Sequence, residues 1–133
     1  MKKIIIYAFP LLAILAAIRI SAASPENALQ ASSVQLIQFH TEHRCITCQK
    51  IEKLARKTLF DHFPTIPFVL VNIDDKTNQK RVLQFKATGT ALFLYNPKTG
   101  EKKDLTAFAF MRSGDDLKFE MELKKEIDDF CKK

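Results

Sequence analysis

Apolar positions change their period along the chain, and each change marks a predicted element. Residues 34–39, VQLIQF, are short and rich in Val, Ile and Phe, and predict a strand that runs into HTEHRCITCQ. From Cys48 onward, Ile51, Leu54, Ala55, Thr58 and Leu59 recur at three- and four-residue steps, with Lys50, Lys53, Arg56 and Lys57 between them. That is the pattern of an amphipathic helix. Pro64 and Pro67 bracket the approach to a continuous apolar run, residues 68–73, which predicts a central strand covered on both faces. A second helix is expected to start near Thr77, bury Val82, Leu83 and Phe85, and end before Gly89. A strand beginning near Thr90, an Asn-Pro-Lys-Thr-Gly turn at 96–100 and a second strand or short helix follow, with poor periodicity after Asp104. The last helix is expected to begin at Ser113, capped through its hydroxyl with Asp116 three residues on, and to line one side with Phe119, Leu123, Ile127 and Phe130.

The resulting order is strand, helix, strand, helix, strand, strand, helix. A parallel βαβ unit followed by an antiparallel hairpin and a closing helix predicts an α/β fold, a small mixed sheet with helices on both faces. It puts Cys45 at the end of a strand and Cys48 in the first turn of a helix. The length of 133 residues suits one compact domain, and the eleven phenylalanines read as its core in a chain without tryptophan.

The N-terminus follows a different rule. Two lysines, an apolar run over residues 4–18 and a small-residue stretch with Ser21 and Ala23 form a secretory signal peptide expected to be cut after Ala23. An uncleaved membrane anchor is the alternative, but a span needs ~20 apolar residues and this run contains Pro10 and meets Arg19. The expected organisation is therefore a signal peptide (1–23), a flexible N-terminal segment (24–33) and the folded domain (34–133), exported to the periplasm or secreted. Cleavage removes Lys2, Lys3 and Arg19 and no acid, leaving 18 cations against 15 anions, so the formal charge falls from +6 to +3. Two basic faces remain, Lys50, Lys53, Arg56 and Lys57, and Lys124, Lys125, Lys132 and Lys133. Neither has the interleaved exposed aromatics of a nucleic-acid groove, so no nucleic-acid partner is expected. A membrane partner is expected only if the leader is retained.

Chemistry concentrates in residues 38–52, QFHTEHRCITCQKIE, which hold His40, His43, Cys45 and Cys48. A thiolate is the nucleophile of disulfide exchange, and a helix N-terminus and nearby cations stabilise it. Cys45 is accordingly the expected nucleophile, tuned by Arg44 and His43, and Cys48 the resolving thiol that releases a mixed disulfide. Two further readings stay open: a soft-metal or arsenical site made by Cys45, Cys48, His40 and His43, and an inert structural disulfide, whose short loop constrains the unfolded chain little. Gln49 stands where haem attachment needs histidine. His62 is expected at the surface. Cys131, four residues after Ile127, is expected to be a buried thiol rather than a third redox cysteine, although an unpaired cysteine in an exported protein can form an intermolecular link.

The frame from QLIQFHTEHRCITCQKIE through FVLVNIDDKTNQKRVLQFKATGTALFLYNPKTG to ELKKEIDDF resembles the thioredoxin-like superfamily across nearly all of the mature chain. More narrowly, F-H-x-x-x-R-C-x-T-C-x-x-I-E, residues 39–52, is similar to small exported bacterial thioredoxin-like proteins of the ArsF type. The resemblance implies a thioredoxin-like fold with a central mixed four- to five-stranded sheet flanked by helices, and a thiol-disulfide oxidoreductase with a redox-active Cys45–Cys48 disulfide and no other cofactor. Implied partners are a protein disulfide substrate, or a small thiol-reactive one, and an upstream thiol reductant or oxidant, either soluble or membrane-bound; a non-catalytic subunit of a reductase is the related alternative. The departures are specific. Gln38 stands where family members have a buried acid that relays protons, Leu70 where they often have a lysine, and Thr90 or a neighbour where a cis-proline faces the dithiol. Proton transfer to Cys48 would then fall to Glu52, His40 or water.

Overall fold

The computed structural model describes residues 34–133, so the expected signal peptide and the segment 24–33 lie outside the described residues. The elements are β1 (Gln35–His40), α1 (Ile46–His62), β2 (Phe68–Asn72), a single 3₁₀ turn (Lys76–Asn78), α2 (Gln79–Phe85), β3 (Ala91–Tyr95), β4 (Lys102–Asp104), α3 (Thr106–Arg112) and α4 (Asp116–Cys131). Four strands form one mixed sheet in the order β2-β1-β3-β4. β1 runs parallel to β2 and antiparallel to β3, and β3 pairs antiparallel with β4.

Alternation along β1 divides the core in two. Leu36, with Leu92 and Leu94 of β3, faces α1, α3 and α4, meeting Ile51, Leu54, Ala55, Ala109, Phe119, Leu123 and Ile127. Ile37 and Phe39 face the other way, onto Val71, Phe93 and Phe85 of α2. Phe39 and Phe93 stack edge-on at 5.9 Å, and Phe85 lies 5.2 Å from each of them. The side-chain period of two thus buries both faces of the central strand, which is why VQLIQF carries no charge. The sheet has helices on both sides, as the segment order predicts.

Several expectations need correction. The apolar run 68–73 is not a central strand: β2 lies at the sheet edge and four of its five residues are only half-buried. The run's side chains still reach both cores: Phe68 packs on the α1 side, where the Arg56 guanidinium covers its ring at 4.3 Å, and Val69, Val71 and Ile73 join the Phe39 side. α2 ends before Gly89, as expected, and does so in a Schellman turn: Lys86 takes φ 53°, its N–H donates to the Leu83 carbonyl (3.2 Å) and the Ala87 N–H donates to the Val82 carbonyl (3.1 Å). On this one short helix Phe85 is buried and Leu83 is exposed. The strand expected after the turn, β4, ends at Asp104, and the segment beyond it forms a helix, α3, with Leu105 and Ala109 buried at four-residue spacing.

The closing helix is capped by Asp115, whose carboxylate accepts from the Lys118 N–H at 3.1 Å. Ser113 instead ends α3 and donates to the Phe110 carbonyl. Phe119, Leu123, Ile127 and Phe130 do form the buried stripe of α4, but Cys131 lies beside that stripe and is exposed rather than buried. The basic faces are largely paired. Lys50 meets Asp116, Lys57 meets Asp61 and Glu120, Lys124 meets Asp128 and Lys125 meets Asp129.

Candidate redox site

A four-residue loop, 41–44, separates β1 from α1, so Cys45 is the helix N-cap and not a strand-end residue. The loop is fixed at both ends. Thr41 Oγ1 donates to the His43 carbonyl (2.9 Å), and the Glu42 N–H donates to Asp74 Oδ2 (2.7 Å), tying the loop to the segment after β2. Sequence reading missed Asp74 as an anchor, since two residues 32 positions apart leave no local signal.

Cys45 and Cys48 are joined in a disulfide with an S–S distance of 2.12 Å and a Cα–Cα separation of 5.1 Å. The two sulfurs occupy different environments. Cys45 is exposed, whereas Cys48 is buried. As N-cap, Cys45 has its Sγ 3.1 Å from the Cys48 N–H, one of the first-turn donors with no partner inside the helix. Negative charge on this sulfur would therefore meet a backbone donor and the positive end of a 17-residue helix.

Two side chains bond to Cys48. The Thr90 hydroxyl donates to Cys48 Sγ at 3.2 Å, which places the residue before β3 directly against the disulfide. The peptide bonds of the described residues are all trans. Gln38 is fully buried on the α1 side of the sheet; its Nε2 donates to the Cys48 carbonyl at 2.9 Å, and its Oε1 has no partner among the described residues. Leu70 is its register partner on β2, so no charge stands beside it there.

The remaining candidates are placed as follows. Arg44 Nη2 stands 2.5 Å from Glu52 Oε2, and Glu52 Oε1 also accepts from Arg56 Nε at 2.8 Å. Burial pushes the Glu52 carboxyl up, but the guanidiniums of Arg56 and Arg44 outweigh it and hold it below the usual carboxylate range. A carboxylate so held is a poor proton acceptor, which weakens Glu52 as a relay for Cys48. His43 is exposed, and its ring makes no hydrogen bond or ion pair among the described residues. The His40 Nδ1 donates to the Thr41 carbonyl at 2.7 Å. The four residues of the metal reading are not gathered into a ligand set: no group of three or more His, Cys, Asp and Glu side chains suited to a metal occurs among the described residues. Partial desolvation, with Asp128 nearby, pushes the Cys131 thiol up, away from ready ionisation. His62, on the surface as expected, pairs with Glu120.

A cavity of about 440 Å³ opens beside Thr90, lined by the loop 86–91 with Phe85, Phe93, Asp104 and Thr106. A second hollow, about 310 Å³, lies towards the other end of α1 around Phe60, Phe63 and Phe68. The first adjoins the chemistry; the second does not.

A parallel βαβ unit, an antiparallel hairpin and a C-terminal helix around one mixed sheet make this a thioredoxin-like fold, and its C-x-x-C pair is closed into a disulfide at the start of α1. Among solved structures the chain is similar to thioredoxin f2 of Chlamydomonas reinhardtii, at 22% identity over 66% of this chain and 84% of that chain, with a TM-score of 0.46. No protein-family model and no curated protein sequence matches it.

Proposed function

We propose that the protein is an exported thiol-disulfide oxidoreductase. The observation that carries this reading is the asymmetry of the pair: an exposed Cys45 at the helix N-cap, its sulfur accepting a backbone hydrogen bond, beside a buried Cys48. Reduction of Cys45–Cys48 takes two electrons and two protons from an upstream dithiol and gives two thiols. The Cys45 thiolate then attacks a partner disulfide, forming a mixed disulfide and expelling one partner thiolate. Cys48, as thiolate, attacks Cys45 Sγ, re-forms the Cys45–Cys48 bond and expels the second partner thiolate. The same steps reversed oxidise a partner dithiol, and the direction follows the relative potentials. No cofactor beyond the disulfide is required. The lysine-led apolar leader and its small-residue cleavage site support export, with the periplasm or the cell exterior as the destination in this reading.

Wild-type protein is expected to accelerate reduction of insulin disulfides by dithiothreitol, and Cys45→Ser to fall to the uncatalysed rate. A wild type no faster than dithiothreitol alone would sink the proposal.

Thr90 has a definite role in this scheme. Its hydroxyl donates to Cys48 Sγ, and a donor favours the charged form of the sulfur it faces. Hydrogen bonds to charged groups contribute about 1.5–3 kcal/mol, so Thr90→Val, equal in shape but without the donor, should slow attack by Cys48 on the mixed disulfide roughly tenfold. Stopped-flow release of the partner thiol measures this step; an unchanged rate would remove Thr90 from the mechanism.

A further inference from the structure

The arginine that precedes the nucleophile is held by another residue. The Arg44 guanidinium reaches along α1 to Glu52, with Nη2 2.5 Å from Oε2. Glu52 lies seven positions beyond Cys45, about 10 Å farther along the helix axis. Its second oxygen accepts from Arg56 Nε at 2.8 Å, and Arg56 is itself laid over the Phe68 ring. The Arg44 and Glu52 side chains are 23% and 17% exposed, so this pair is more sheltered than the fully solvated bridges that contribute little. The other charged groups of the loop and first turns are occupied or turned outward: Lys50 pairs with Asp116 of α4, while Glu42 and His43 are exposed. Asp74, behind the loop, accepts the Glu42 N–H.

We infer that Glu52 is a positioning residue for disulfide exchange: it draws the Arg44 guanidinium down α1 and limits how far that cation stabilises the Cys45 thiolate. The inference rests on the dithiol reading of Cys45 and Cys48. Its consequence is chemical. A cation freed to approach the sulfur raises the thiolate fraction, but it also lowers the nucleophilicity of that thiolate and stabilises the reduced protein, making the disulfide a stronger oxidant. Glu52 therefore keeps Cys45 the more basic and more nucleophilic thiolate, and the couple the more reducing.

The test is a double-mutant cycle read on Cys45 alone, in full-length protein carrying Cys48→Ala and Cys131→Ser. The rate of Cys45 alkylation by iodoacetamide is followed against pH for Glu52→Gln, Arg44→Gln and both together. Glu52→Gln is expected to move the alkylation midpoint to lower pH and raise the rate at pH 6 about threefold or more. With Arg44→Gln present, the same substitution should change that rate by less than about 1.5-fold, because its effect passes through Arg44. Glu52→Asp, which keeps the charge, should stay closer to the parent than Glu52→Gln does, and it serves as the conservative arm if Glu52→Gln folds poorly. Equal shifts with and without Arg44 would mean that Glu52 acts by its own field, and would overturn the inference, as would no shift at all. Insulin reduction by protein with both cysteines is measured separately. Failure there removes the oxidoreductase reading, whereas failure of the cycle alone removes only the role of Glu52.

Discussion

Cys48→Ala should convert the protein into a covalent trap, extending the lifetime of a mixed disulfide on Cys45 at least ~100-fold, because an intramolecular step gives way to attack by external thiol. The geometry requires this. Cys48 is the thiol already within bonding distance of Cys45, with the two Cα atoms 5.1 Å apart, and in the mixed disulfide it is the nucleophile that needs no diffusion. Alanine removes only the sulfur; the backbone carbonyl that accepts from Gln38 and the N–H facing Cys45 both remain. The site should therefore stay folded and Cys45 should still attack. Incubating reduced Cys48→Ala protein with a disulfide-bonded partner, quenching with acid and separating on non-reducing gels should show a thiol-sensitive adduct absent from Cys45→Ser. Rapid turnover by Cys48→Ala, with no adduct, would show that resolution does not use Cys48.

The parts of this site that were legible in the sequence are those set by local pattern. VQLIQF had to be a buried strand, because a run of that length without charge has few other solutions, and the three- and four-residue spacing from Cys48 to Leu59 had to be a helix. Together they put Cys48 in the first turn of a helix and Cys45 between strand and helix, where the structure makes it the N-cap. Parts that depend on pairing across the sheet were not legible. The apolar run 68–73 suited a central strand as well as an edge strand, and only the neighbours decide: β1 has partners on both sides and β2 has one. Thr90 was located through resemblance to a family, and its contact with Cys48 Sγ spans 42 positions. Arg44 was legible as a cation beside Cys45, but nothing in an eight-residue separation marks it as the partner of Glu52. Cys131 was misplaced by a single helical position: the stripe closes at Phe130, three beyond Ile127, and Cys131, four beyond, falls outside it.

Gln38→Asp should make stability fall as pH rises from about 4 to 7, by about 4 kcal/mol in all. The native amide is fully buried, bonded through Nε2 to the Cys48 carbonyl, and flanked by Leu70 rather than by a cation. A carboxyl in that place would lose water and gain no counter-charge, so burial raises its pKa, commonly by about 3 units or more, each unit corresponding to about 1.36 kcal/mol. The sign follows from linkage. Below the unfolded pKa of about 3.9 the acid is protonated in both states and carries no charge penalty. Above that value the unfolded chain ionises while the folded one resists, so stability declines until pH passes the raised folded pKa. Gln38→Asn, equally shortened but unable to ionise, separates this effect from loss of packing. Urea unfolding of both variants at pH 4 and pH 7 should show a gap between them that is small at the lower pH and several kcal/mol at the higher. Parallel behaviour of the two at both pH values would mean that water or a cation reaches position 38. The glutamine would then not be what keeps the floor of the dithiol uncharged across the pH range in which Cys48 must act.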